Sequence, residues 1–166
     1  MSVYVIDTNF FIQAHRVYYP LDVVSSFWNK VKQLADEEKI ISIDKVKDEI
    51  YKNDDALKIW CEDNLSDNFF KDSSQSMLKY RQVAAWAASR NTHFSPNAIA
   101  EFLDAEEADA FIIAYALTDN TNRIIVTQEV SDPNCKRKIK IPDVCISLNI
   151  RYVNVIDMFR QLGETF

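Results

Sequence analysis

Short apolar runs alternate with longer amphipathic stretches along this chain. Val3-Tyr4-Val5-Ile6 reads as a buried strand. Thr8 or Asn9 is placed to cap a short helix over about 10–18, which Pro20 ends. Over 21–37, Val24, Phe27, Trp28, Val31, Leu34 and Ala35 recur at helical spacing. Ile40-Ile41-Ser42-Ile43 is a second short strand, and Asp44 caps a helix running to about Lys52. Segments 55–64 and 74–90 are helical in pattern, with Met77, Tyr80, Val83, Ala84 and Ala87 on one face of the second; Ser66–Ser76 between them is polar and turn-like. Pro96 suits the first turn of a helix over 96–103. A strongly apolar helix over 106–118 precedes a third strand over 123–128. After a polar, basic segment at 131–140 come a helix over 141–149, a short strand at Tyr152-Val153 and a helix over 155–162.

Strands separated by helices imply an α/β fold: a short, mostly parallel central sheet covered by helices on both faces, in three α/β/α layers. Ligands of such folds bind outside the carboxyl ends of the strands. Asp7 and Glu129 are predicted at those ends. The length of 166 residues suits one domain over 1–166, and no internal repeat divides it.

Composition narrows the chemistry. The single glycine, Gly163, excludes a Gly-rich phosphate loop, a dinucleotide fingerprint and a nucleophile elbow. Three cysteines without paired spacing, Cys61, Cys135 and Cys145, argue against a disulfide framework or a zinc site. Cys61 and Cys145 read as structural and Cys135 as an exposed loop thiol. His15 and His93 also lack ligand spacing. No apolar run reaches a membrane span, and the start shows no signal-peptide pattern, so the expected compartment is the cytoplasm. The net charge of −6 means that any affinity for nucleic acid must come from a local patch. Lys136-Arg137-Lys138-Ile139-Lys140 is the one dense basic run; it reads equally as a solvated loop or as a backbone-holding patch. Trp28, Trp60 and Trp86 fall on apolar helix faces and are expected in the core or a dimer contact.

The acids carry the candidate chemistry. Asp7 ends an apolar strand; because Thr8 and Asn9 can cap the helix that follows, Asp7 is expected to face a site. Glu49 sits at the border of the stripe made by Val46 and Ile50, with Asp48 on the far side; taken alone it reads as a solvated helix acid. Asp109 shares a helix stripe with Ile112, Ile113 and Ala116. An unpaired carboxylate on such a face costs several kcal/mol or is driven neutral, and Arg123 is the alternative explanation as a salt-bridge partner. Glu106 and Glu107 are explained as first-turn acids meeting the helix dipole. Glu129 ends the third strand, with Thr127 on the same side. Asp143 suits an additional site acid and a helix cap equally. Oxygen ligands alone select a hard cation, Mg²⁺ or Mn²⁺.

In order along the chain, Val5-Ile6-Asp7-Thr8-Asn9, Glu49, Ala108-Asp109-Ala110-Phe111-Ile112-Ile113-Ala114 and Ile125-Val126-Thr127-Gln128-Glu129 resemble the PIN domain family of metal-dependent nucleases. The resemblance implies that Asp7, Glu49, Asp109 and Glu129 hold one or two Mg²⁺ or Mn²⁺ ions for cleavage of RNA phosphodiesters to 5′-phosphate and 3′-hydroxyl ends. In that arrangement Thr8, Asn9 and Thr127 would orient the ligands, and Lys136, Arg137, Lys138 and Lys140, which follow Glu129 in the chain, are the candidates to hold the RNA backbone beside the crevice. Many small bacterial members are VapC-like toxins silenced by an antitoxin, so an antitoxin partner is a further expectation; the apolar helices near 10–35 and 75–90 offer a face for a homodimer. There are two departures. Glu129 stands where the family usually carries aspartate, a longer arm expected to reach metal through water. A helical hairpin is also added over about 55–95. The alternative is a non-catalytic PIN-like module that binds RNA or protein. A dehalogenase-like phosphatase also opens with strand-Asp but needs a second Asp where Asn9 stands. A purely structural helical protein would bind no metal.

Overall fold

A computed structural model describes all 166 residues. In chain order, β1 is Val3–Ile6, α1 Thr8–Gln13, α2 Ser25–Asp36, β2 Ile40–Ile43 and α3 Asp44–Tyr51. Then come α4 Ala56–Asn64, β3 Phe70–Lys71, α5 Met77–Ser89, α6 Pro96–Phe102 and α7 Asp109–Thr118. The chain ends through β4 Arg123–Val126, α8 Ile141–Leu148, β5 Tyr152–Val153 and α9 Val155–Leu162. The strands β1, β2 and β4 are almost wholly buried, as continuous apolar runs must be when helices cover both sheet faces.

All five strands are parallel, in the order β3-β2-β1-β4-β5. From β1 the chain first builds toward β2 and β3, then crosses back to place β4 on the other side. Right-handed crossovers in opposite directions fall on opposite faces of a sheet. The strand order therefore reverses between β1 and β4, where Ile6 pairs with Val126, and a crevice opens beyond that pair. The α/β class expected from the hydrophobic pattern is the observed one.

Helix α7 explains its own position. Every residue from Ala110 to Tyr115, and Ala116 after them, is buried, so the helix has no solvent face. It lies between β4 and α5, where Val83 and Ala87 of α5 are buried. No helix is long and apolar enough to cross a membrane.

Three local expectations change. The polar stretch Ser66–Ser76 contains β3, which pairs with β2 through Ser42–Phe70 and Ile43–Lys71. The segment 55–95 is not a hairpin. Helix α4 joins α3 and puts Trp60 edge-on against Trp28 at 4.9 Å, whereas α5 packs on α7. The first helix begins at Thr8 rather than near residue 10, and it widens into a π-helical turn over Ala14–Tyr18.

Candidate functional site

Beyond the carboxyl ends of β1 and β4 lies a cavity of about 540 Å³. Its walls include Asp7, Glu49, Glu101, Glu107, Asp109 and Glu129, together with Lys138 and Lys140. The four acids singled out in the sequence thus meet in one crevice from four different places: the end of β1, helix α3, the start of α7 and the end of β4. Glu101 and Glu107 join them unforeseen. Glu107 is not in a helical first turn: α7 starts at Asp109, and Glu107 lies in the turn before it.

Asp7 is buried at 2% exposure and is the N-cap residue of α1, so the expectation that Thr8 or Asn9 would cap is corrected. Its Oδ1 accepts from the Thr8 backbone N–H at 2.7 Å, and its Oδ2 accepts from the Thr127 hydroxyl at 2.9 Å. Asn9 Oδ1 accepts from the Gln128 N–H at 3.1 Å, tying the ends of β1 and β4 together. Thr127 Oγ1 in turn accepts from the Glu129 N–H at 3.1 Å. Thr8, Asn9 and Thr127 therefore surround the acids; the Thr8 hydroxyl is buried and has no hydrogen-bond partner.

Glu49 Oε1 accepts from the Ala108 N–H at 2.5 Å, which fixes the residue immediately before Asp109. Glu129 is engaged at both oxygens. Oε2 accepts from the Ile141 N–H at 2.8 Å, at the start of α8, and Oε1 pairs with Lys138 at 3.2 Å. Its longer arm reaches across to the basic loop. Asp109 is not paired with Arg123: that guanidinium donates to the Tyr115 carbonyl at 2.6 Å and stacks on the Tyr115 ring at 3.7 Å.

Burial pushes the Asp7 carboxyl up to about 7, and the charges of Glu129 and Glu49 add to the shift. Burial also holds Asp109 well above the usual carboxylate range, helped by Asp7 and Glu129 and opposed by Lys138. Glu107 is raised by burial and then by Glu49. Partial burial lowers Lys138, yet its net shift is upward because Glu129 and Asp109 hold its proton. Even the buried Cys145 thiol on α8 is pushed to about 12, by burial and then by Asp7 and Glu129. These shifts describe one strongly negative field, opposed by Lys138 at Asp109 and by Lys52 at Glu107.

The basic run divides. Lys138 and Lys140 line the cavity, whereas Lys136 and Arg137 do not; the Lys136 carbonyl instead accepts from the Ser95 N–H at 2.9 Å. Asp143 also lies outside the cavity. It accepts from the Ser131 hydroxyl at 2.5 Å and the Asp132 N–H at 3.0 Å, so it braces the loop after β4. Cys61 and Cys145 are buried as expected, while Cys135 is only half-exposed.

The donor set is all oxygen and strongly anionic, which suits a hard dication in charge and softness. As the side chains stand, no three acids converge closely enough to ligate one ion. Glu49 and Glu129 hold backbone N–H groups instead, so chelation would require one or both to rotate away from these partners.

The profile of a family described as "Domain of unknown function (DUF4411)" matches residues 4–166. No curated protein matches. Among solved structures, VapBC2 from Rickettsia felis bound to a DNA fragment from its promoter is similar at 15% identity and a TM-score of 0.47, covering 92% of this chain and 98% of that one. With the family profile matching nearly its whole length, the chain belongs to the DUF4411 family.

Proposed function

We propose that the cavity is the active site of a PIN-like, Mg²⁺- or Mn²⁺-dependent endoribonuclease, and that the protein is the toxin of a bacterial toxin–antitoxin pair. One observation carries the catalytic part: Asp7, Glu49, Asp109 and Glu129, from four separate elements, line one crevice at the point where the strand order reverses. Clustering of one buried and three half-buried carboxylates is unfavourable in a protein that gains nothing from it, since neighbouring negative charges favour the protonated forms. The toxin role rests on the resemblance set out under Sequence analysis.

Asp7 and Asp109 would be the central ligands, because Asp7 is fixed by Thr8 and Thr127 and Asp109 is not tied up in an ion pair. Glu49 and Glu129 would complete the set after exchanging their backbone partners. The bound dication would supply charge neutralisation at a phosphate and a more acidic water. Thr127 holds the Asp7 carboxylate in one orientation by donating to Oδ2, and Asn9 keeps the β4 end in register with it. Lys138 and Lys140, at the cavity rim, would meet the phosphates flanking the reacting one.

A second reading, a non-catalytic binding module, is favoured by the engagement of both Glu129 oxygens and of Glu49 within the protein. Incubation of the purified protein with RNA in Mg²⁺ or Mn²⁺, and in EDTA, separates the two. The nuclease proposal expects metal-dependent cleavage that Asp109→Asn lowers at least about a hundredfold, a loss of about 3 kcal/mol of transition-state stabilisation. Binding without cleavage in either metal would favour the module.

A further inference from the structure

A second and larger groove, of about 780 Å³, adjoins the acidic cavity. The two share Gln128, Glu129 and Val130 as a common wall. From there the groove continues past β5 and the start of α9, lined by Tyr18, Tyr152, Asn154, Ile156 and Arg160.

Its walls are mixed: aromatic and aliphatic side chains stand among polar ones, with Glu129 and Asp157 as the acids and Arg160 as the cation. Tyr19 is anchored: its ring stacks on Phe27 at 4.3 Å, and its carbonyl accepts from the Trp28 indole N–H at 2.6 Å. Tyr18, the last residue of the π-helical turn, has no such burial and stands 55% exposed. A π-helical turn is a rare local form that inserts an extra residue, and it recurs at functional positions. Here it ends on an exposed aromatic beside a firmly held one. Across the groove, Tyr152 is half-buried in β5, and Ile156 and Val130 are exposed apolar side chains on the rim. Arg160 is paired only with Asp157, three residues earlier on α9, at the exposed surface. Such a pair is weak enough to yield to a phosphate.

We propose that this groove is a subsite for an unpaired nucleotide adjoining the scissile phosphate, with its base against Tyr18 and Tyr152 and its phosphate toward Arg160. The assignment rests on the nuclease reading of the acidic cavity. Continuity with that cavity selects the occupant: a strand whose phosphate reaches Asp7 and Asp109 has its neighbouring nucleotide at Gln128–Val130. The chemistry agrees, because aromatic faces bind bases of any sequence, and only an unstacked base can reach them. Single-stranded RNA is therefore the preferred substrate over a duplex.

The test measures affinity and cleavage separately on the full chain. Binding of a fluorescent single-stranded RNA oligonucleotide is measured in EDTA, where no cleavage occurs, and turnover is measured in Mn²⁺. Tyr18→Ala and Tyr152→Ala are expected to weaken binding roughly tenfold each, and to raise KM more than they lower kcat. Tyr152→Phe keeps the ring and is expected to match the parent, which separates stacking from loss of β5. A duplex of the same sequence is expected to bind at least about tenfold more weakly than the single strand. Unchanged affinity in both alanine variants overturns the subsite while leaving the nuclease reading intact. Tyrosine-dependent binding with no cleavage in Mg²⁺ or Mn²⁺ would overturn the nuclease reading and, with it, the place of this nucleotide beside a scissile bond.

Discussion

Asp7 does two jobs that pull in opposite directions. It ends β1 and caps α1, both structural tasks, yet it does so as a buried carboxyl facing Glu129 and Glu49. Its pKa is raised on folding to about 7. A carboxyl raised in this way stabilises the fold while protonated. That contribution is fully present below the ordinary carboxylate range near pH 4 and is lost as the pH rises through about 7. In metal-free buffer the unfolding free energy should therefore fall between pH 5 and pH 8, by on the order of 2–4 kcal/mol. Asp7→Asn should make that fall shallower, with the remainder coming from Asp109, in denaturant titrations at a series of pH values. A parent protein equally stable across this window would contradict the burial-driven shift. Asp7 and Asp109 were legible in the sequence because a carboxylate on an otherwise apolar face is anomalous by itself. Glu107 was not, because its place depends on α7 starting at Asp109 rather than at Glu106, a boundary that periodicity leaves loose by a turn. The partners of Glu129 were equally hidden: Lys138 and the Ile141 N–H are brought to it by a loop whose path no local pattern specifies.

At the scale of elements, the mostly apolar strands β1, β2 and β4 and the apolar run Ala110–Leu117 of α7 could be read directly, since burial on every side leaves few polar positions. The two-residue β3 could not, because its pairing with β2 is a tertiary fact within a polar stretch. The loop from Val130 to Lys140 connects β4 to α8 and forms one wall of the cavity. It brings Lys138 and Lys140 to the cavity, and it is braced by Asp143 through Ser131 and Asp132, by Ser95 through Lys136, and by the contact of His93 with the Cys135 carbonyl. Asp143 was a candidate site acid in the sequence; in the fold it is a brace. Asp143→Ala should cost about 1–2 kcal/mol of stability and speed amide exchange in the loop, while leaving the acids in place. A variant that abolishes metal binding outright, with the loop's exchange unchanged, would restore Asp143 to the site.

The whole molecule carries a net charge of −6, so a nucleic acid is repelled except where local cations face it. Lys138 and Lys140 supply those cations at the cavity, and Arg160 supplies one in the adjoining groove. If RNA binds as proposed, Lys140→Ala should weaken it with little dependence on sequence and reduce the slope of log affinity against log salt by about one unit or less. An unaltered slope would remove Lys140 from the contact. The same topology that makes the crevice, with β1 and β4 at the reversal of strand order, makes the acids meet there. The central claim is that this negative crevice is a site for a hard dication. A crystal soaked in Mn²⁺ tests it most directly. The account predicts an anomalous peak between Asp7 and Asp109, with Glu49 or Glu129 turned from its backbone partner toward the ion. A saturating soak with no peak in the crevice, and with Glu49 still on Ala108 and Glu129 still on Lys138 and Ile141, would contradict it.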